Sequence, residues 1–224
     1  MILSGALLLL GFVVNAVQRT LLHPLGAADD HEAIFAKYAA SDVWVATHLA
    51  EFLLVLVALA GFLVLCRALW PETPYLALLA ACAITATAAV WAALQAVDGV
   101  TLKQAVNAWA ASGTEEATRF ADAETVRWAE WGLQSYFRAL LGVALLLLSA
   151  ASVPSRLVPT WLGVLLALGG LLSLVVGISV SYAGFQSAFQ DAVTIAFQLV
   201  ALAVGIGLLV AGRQHANDST DRSA

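Results

Sequence analysis

Of 224 residues, 62% are hydrophobic and only 11% charged, with a net charge of −5 and a mean hydropathy of +0.90. Soluble domains carry about 25% charged residues, so this composition predicts a polytopic membrane protein and excludes an ordinary soluble enzyme. The acidic balance leaves no basic patch for nucleic acid.

Six apolar runs are long enough to cross a bilayer, which takes about 20 residues: roughly 2–22, 42–67, 75–97, 127–151, 160–182 and 189–211. The first begins without a basic leader region, and His23-Pro24 after it is no cleavage site, so no signal peptide is expected. Pro71 and Pro74 punctuate the second link and Pro154 and Pro159 the fourth. Those short links share one side of the membrane, side B, with both termini. The longer links lie on side A. The predicted fold is all-α: a transmembrane bundle of six helices with two short interfacial helices on side A. Residues 1–212 are expected to form one membrane domain and residues 213–224 a disordered polar tail.

The first interfacial helix is read from the capping-box spacing of Asp29 and Glu32 and from His31, Ile34, Phe35 and Tyr38 on one face. The second is read from Thr101 and Gln104 as caps, with Leu102, Ala105, Val106 and Trp109 as its apolar face. After Ser112-Gly113 a new helix is expected to run unbroken into the fourth span. Trp44, Trp109, Trp128 and Trp131 are placed in the side A aromatic belt, Trp70 and Trp161 in that of side B. Basic residues in the links and tail divide evenly: Arg19, Lys37, Lys103 and Arg119 against Arg67, Arg156, Arg213 and Arg222. Because those of side B sit in short segments, where the positive-inside rule acts, both termini are expected in the cytoplasm of a bacterial inner membrane.

Polar residues gather at one depth. On the fourth span Arg127, Glu130, Gln134 and Arg138 recur at three- and four-residue steps and form a single stripe. A charge at the centre of a membrane helix costs about 2.5–3.5 kcal/mol, so the stripe should face protein or water. Asn15, Gln18 and Arg19 on the first span, Trp44, Thr47, His48 and Glu51 on the second, Trp91, Gln95 and Asp98 on the third, and Gln190, Thr194 and Gln198 on the sixth all fall towards side A. Five helices aiming polar faces from one end predict a shared, wet half-membrane cavity.

Each candidate has a plain alternative. His48 and Glu51 on one face fit a general acid–base or metal pair, and equally a structural pair balanced by Arg138 or Arg127. Arg127 and Glu130 at i, i+3 can pair with each other. Asp98 before Gly99 can simply mark a turn. Gly169, Gly170 and Gly177 fit close helix packing. His23, Asp29, Asp30 and His31 lack ligand spacing, and Cys66 and Cys82 read as packing residues, so no metal and no cofactor are expected. No P-loop, HExxH, GxSxG or CxxCH occurs, and neither lysine lies within a predicted span to carry a Schiff base.

The stretch Arg156-Leu157-Val158-Pro159-Thr160-Trp161-Leu162-Gly163 resembles a group of bacterial six-helix membrane proteins classified only as a domain of unknown function. In that group a Leu-Val-Pro-basic-Trp turn opens the fifth helix and a glycine-rich helix follows; here Thr160 stands at the basic position. The resemblance implies fold and membrane location and brings no catalytic residues.

The function expected from the residues is binding or transport of a small polar or anionic molecule or of protons. Arg127 and Arg138 would attract the ligand, and His48, Glu51 and Glu130 would handle protons, with Gln95, Asp98, Gln134 and Gln190 completing the site. The alternatives are a membrane-embedded enzyme, metal-assisted or not, and a non-catalytic partner subunit. Beyond the lipid bilayer, no protein partner can be named from the residues.

Overall fold

A computed structural model describes residues 1–24, 26–27, 29–185 and 188–221, with side chains as far as Asn217. Its elements in chain order are α1 (Ile2–Leu22), α2 (His31–Ala40), α3 (Trp44–Leu69), α4 (Pro74–Gln95), a π-helical segment (Ala96–Leu102), α5 (Lys103–Ala110), a 3-10 turn (Gly113–Glu115), α6 (Glu116–Ser152), α7 (Thr160–Ala183) and α8 (Ala188–Asp221). No strand occurs among the described residues. Helix is what these sequences must form in lipid, because only a helix pairs every backbone N–H and C=O within one segment. Six helices are long and apolar enough to cross a membrane, so this is a multi-pass integral membrane protein.

The spans form a closed ring in chain order. α1 packs on α3, α3 on α4, α4 on α6, α6 on α7, α7 on α8, and α8 returns to α1. Where α6 meets α7, a Cβ on Gly170 would lie 2.9 Å from the Gly142 carbonyl oxygen, so glycine is what lets these backbones touch. The interior of the ring is apolar from side B to beyond mid-depth, filled by residues such as Phe62, Leu65, Leu145, Leu148, Leu166 and Leu208.

A second, smaller core caps side A. Ile34, Phe35 and Tyr38 of α2 pack with Trp44, Leu102, Val106 and Ala123. The α2 N-cap is Asp30, whose Oδ1 accepts from Ala33 N at 3.1 Å, one residue later than the spacing of Asp29 and Glu32 implies. The C-terminus of α2 is held by Lys103 Nζ, which donates to the Tyr38 and Ala39 carbonyls at 2.8 Å each, a cation against the negative end of a helix. Trp44 is 1% exposed and lies in this cap rather than in an aromatic belt, because α2 folds over it. Exposed Trp70 and Trp161 sit where a side B belt needs them.

Three elements differ in detail from expectation. The helix over Lys103–Ala110 exists, but Thr101 does not cap it; its Oγ1 donates to Ala96 O at 3.1 Å inside the π-helical segment that joins α4 to α5. Helix α6 starts at Glu116 and runs 37 residues, projecting beyond the bilayer as expected. Helix α8 keeps helical backbone to Asp221, past Gly212, where the polar tail is expected to begin.

The glycine contact gives a direct test. Gly142→Val should destabilise the bundle by about 1–3 kcal/mol through overpacking against α7, read by detergent-titrated unfolding.

Candidate functional site

The polar layer lies between the apolar ring interior and the aromatic cap. His48, Glu51, Gln95, Arg127 and Glu130 are all less than 8% exposed, while Asp98, Gln134 and Arg138 are partly exposed. It falls into two parts of opposite character.

The first part centres on His48. Its Nδ1 lies 2.8 Å from the Trp44 carbonyl oxygen, which can only accept, so Nδ1 carries a proton. Its Nε2 lies 3.2 Å from Asp98 Oδ2, an ion-pair distance at an angle too poor for a hydrogen bond. An unprotonated Nε2 would aim a lone pair at a carboxylate in a site without bulk water. One further proton therefore belongs to this dyad. The π-helical segment creates the contact. Wider than an α-turn, it carries Asp98 and Gly99 against α3, where Trp44 Nε1 donates to Asp98 O at 3.1 Å. A Cβ on Gly99 would fall 2.6 Å from the His48 Cβ, so no larger residue fits. Asp98 thus lies within a continuous helical segment rather than at a turn, and places a carboxylate on His48.

Beside the dyad, Arg127 pairs with Glu130 at 2.5 Å on consecutive turns of α6. The Arg127 guanidinium also lies 5.6, 5.8 and 5.3 Å from the ring centres of Tyr38, Trp131 and Phe185. Such cation–π contacts contribute about 2 kcal/mol when desolvated. Three rings and one carboxylate surround this arginine, although its Nε has no hydrogen-bond partner. The expected pairing of Arg127 or Arg138 with Glu51 is not formed. Glu130 is a nearer partner for Arg127, Arg138 enters from elsewhere on α6, and Glu51 makes no ion pair among the described residues.

The second part centres on Arg138, about 21 Å along α6 from its end at Ser152. Its guanidinium lies 5.4 Å from the Phe197 ring centre, and no carboxylate comes within 4.0 Å among the described residues. The charge that acts on it is another cation, Arg19. Gln134 is half-buried one turn above. Gln190 has a plain structural role, since its Nε2 donates to Ser179 Oγ and to Gly184 O at 2.9 and 2.8 Å, tying α8 to the end of α7.

Among the described residues, twelve buried side-chain polar atoms have no hydrogen-bond partner in the protein, and all except Ser152 Oγ lie in the side A half. They include Asn15 Oδ1, Gln18 Oε1, Glu51 Oε1, Gln95 Oε1, Asp98 Oδ1 and Arg138 Nε. Each such atom left without a partner costs about 1–3 kcal/mol. Among the described residues no three His, Cys, Asp or Glu side chains are grouped so as to hold a metal ion. A cavity of about 10 Å³ below the layer is lined by Phe62, Leu145, Leu166, Phe197 and other apolar groups. It offers no polar path towards side B.

The sequence brings out the ionisable residues and misses the groups that hold them. Tyr38, Trp131 and Phe185 come from three separate elements, so no spacing announces the cage. His23 stands out in the sequence only as a metal candidate; its ring instead packs 5.2 Å from Trp44 and 5.6 Å from His48. Burial, reinforced by the charge of Arg19, pulls His23 from its ordinary 6.5 to about 4. Burial likewise pushes the Tyr38 hydroxyl up to about 12.

An all-helical ring of six spans with a polar layer near one face defines a class of integral membrane protein. Residues 3–212 match the family described as Domain of unknown function (DUF4386), and the chain belongs to that family. No curated protein and no solved structure matches it.

The paired arginine and the buried histidine can each be tested. Arg127→Met alone should destabilise by about 3–5 kcal/mol, because it strands a buried carboxylate, and adding Glu130→Gln should recover a large part of that loss in a double-mutant cycle. His23 is held neutral by the fold and protonates readily once unfolded. Stability should therefore fall as pH drops from 6.5 towards 4, and His23→Gln should flatten that part of a thermal-unfolding profile.

Proposed function

We propose that the chain is a membrane-embedded binding protein for a small monovalent anion, held at Arg138 in a hydrated layer reached from side A. The observation that carries this reading is a guanidinium deep in a membrane helix with no carboxylate partner among the described residues and with the positive charge of Arg19 acting on it. An isolated buried charge is costly, and buried arginines are ordinarily paired. An anion supplies the missing partner through charge-assisted hydrogen bonds from a planar fork suited to carboxylate, nitrate or similar shapes.

Binding is favoured over transport because the side B half of the ring is filled with apolar side chains and its spans are continuous helices. A metal-assisted enzyme is disfavoured by the lone carboxylate at His48. A purely structural cluster accounts well for Arg127, Glu130 and Gln190, and leaves Arg138 unexplained. We place side B in the cytoplasm of a bacterial cell membrane, following the short basic links.

The test is ligand-dependent stability of the purified protein in detergent. Sodium nitrate or acetate should raise the Tm of the wild type, by about 2.7 kcal/mol of stabilisation at one hundred times Kd. Arg138→Met should abolish that rise, yet be no less stable than wild type without anion, since it removes an uncompensated charge. A wild type indifferent to anions, together with a strongly destabilised Arg138→Met, would make Arg138 a packing residue.

A further inference from the structure

Resting on the anion reading above, we propose that Arg19 is the second binding residue of the Arg138 site, so that a small planar oxyanion is gripped between two guanidiniums from opposite walls of the ring. The faces of α1 place it there. Gly11 presses on α3, where a Cβ would fall 2.5 Å from the Leu54 carbonyl oxygen. Gly5 presses on α8, where a Cβ would fall 2.6 Å from the Gly205 carbonyl oxygen. The face between those two contacts looks into the ring, and Leu8 and Phe12 stand on it. From it the Phe12 ring meets Phe62 of α3 at 6.2 Å and Phe197 of α8 at 6.1 Å. Arg19 follows Phe12 by nearly two whole turns, so it leaves the helix within about 20° of the same inward direction. Asn15 shares that face, and its buried Oδ1 has no hydrogen-bond partner.

Arg138 reaches the same place from α6, across the ring from α1. Its guanidinium lies 5.4 Å from the centre of Phe197, the ring that Phe12 touches, so the two walls share one aromatic floor. The charge of Arg19 acts on Arg138 below it, and on His23 and Tyr38 at the cap. Neither Arg19 nor Arg138 forms an ion pair among the described residues, with Glu51 or with any other carboxylate. Two like charges aimed at one spot repel where water screens them little, and an anion between them replaces that repulsion with two attractions. The shape of the anion then matters. Each guanidinium presents its N–H donors in a rigid plane, and an oxyanion can offer a different oxygen to each arginine. A halide offers both the same single centre. The Asn15 amide carries two further donors for the same guest. Arg19 is exposed and Arg138 only partly so, which makes Arg19 the first of the two that an anion from side A meets.

Nitrate and acetate are the probes and chloride the control, titrated as sodium salts into the full-length protein in non-ionic detergent and followed by calorimetry. Acetate is held by water more tightly than chloride, so a preference for acetate cannot come from easier dehydration. Wild type should bind both oxyanions about tenfold or more tighter than chloride. Arg19→Gln should lose about tenfold in affinity for nitrate and acetate. Arg19→Lys, which keeps the charge and loses the fork, should bind all three anions about equally. Because Arg19 is exposed, both variants should keep the Tm of the ligand-free protein within a few degrees. Arg19→Lys that binds oxyanions as wild type does would reduce Arg19 to a distant charge and overturn the inference. Arg19→Gln with undiminished affinity would overturn it too, and loss of binding in Arg138→Met would in either case leave the anion site standing. Chloride bound by the wild type as tightly as nitrate and acetate would overturn the two-arginine grip without recourse to any variant. If the wild type binds no anion, both readings fall.

Discussion

The constraint from which the rest follows is that ionised groups taken out of water must be compensated where they lie. Deleting one partner of a buried pair costs far more than the pair contributes, so position and partner are inseparable. Around His48 the fold meets this demand locally. A carboxylate is delivered to the imidazole by a π-helical turn, and the adjacent arginine is enclosed by Glu130 and three rings. At Arg138 the same demand is not met by the described part of the chain.

That contrast explains the layered construction. The cap formed by α2, α5 and the projecting start of α6 excludes bulk water from the His48 region, which strengthens every electrostatic contact beneath it. The apolar ring interior on the opposite side prevents the polar layer from continuing across the bilayer.

Much of this is legible in the chain because bilayer physics is severe. Stretches of about 20 apolar residues have few other outcomes, and a three–four spacing of Arg127, Glu130 and Arg138 can only be one helical face. The ion pair at i, i+3 is readable for the same reason. What escapes is long-range. Capping by Asp30 in place of Asp29 turns on a single residue of loop. The burial of Trp44 depends on α2 folding back over it. The His48–Asp98 contact depends on the wider turns between Ala96 and Leu102, for which neither composition nor periodicity gives a sign. Glu51 and Arg138 share a depth but not a contact, and depth alone cannot tell neighbours from strangers.

The ring order of the spans has one more consequence. Gly212 packs against Ile2 and Met1, so the last helix closes beside the first at the same end of the bundle. Every span then touches the one before it and the one after it, and the seam between α8 and α1 is a packing interface like the other five. The ring is consequently closed by side-chain packing at the one seam that no described link spans.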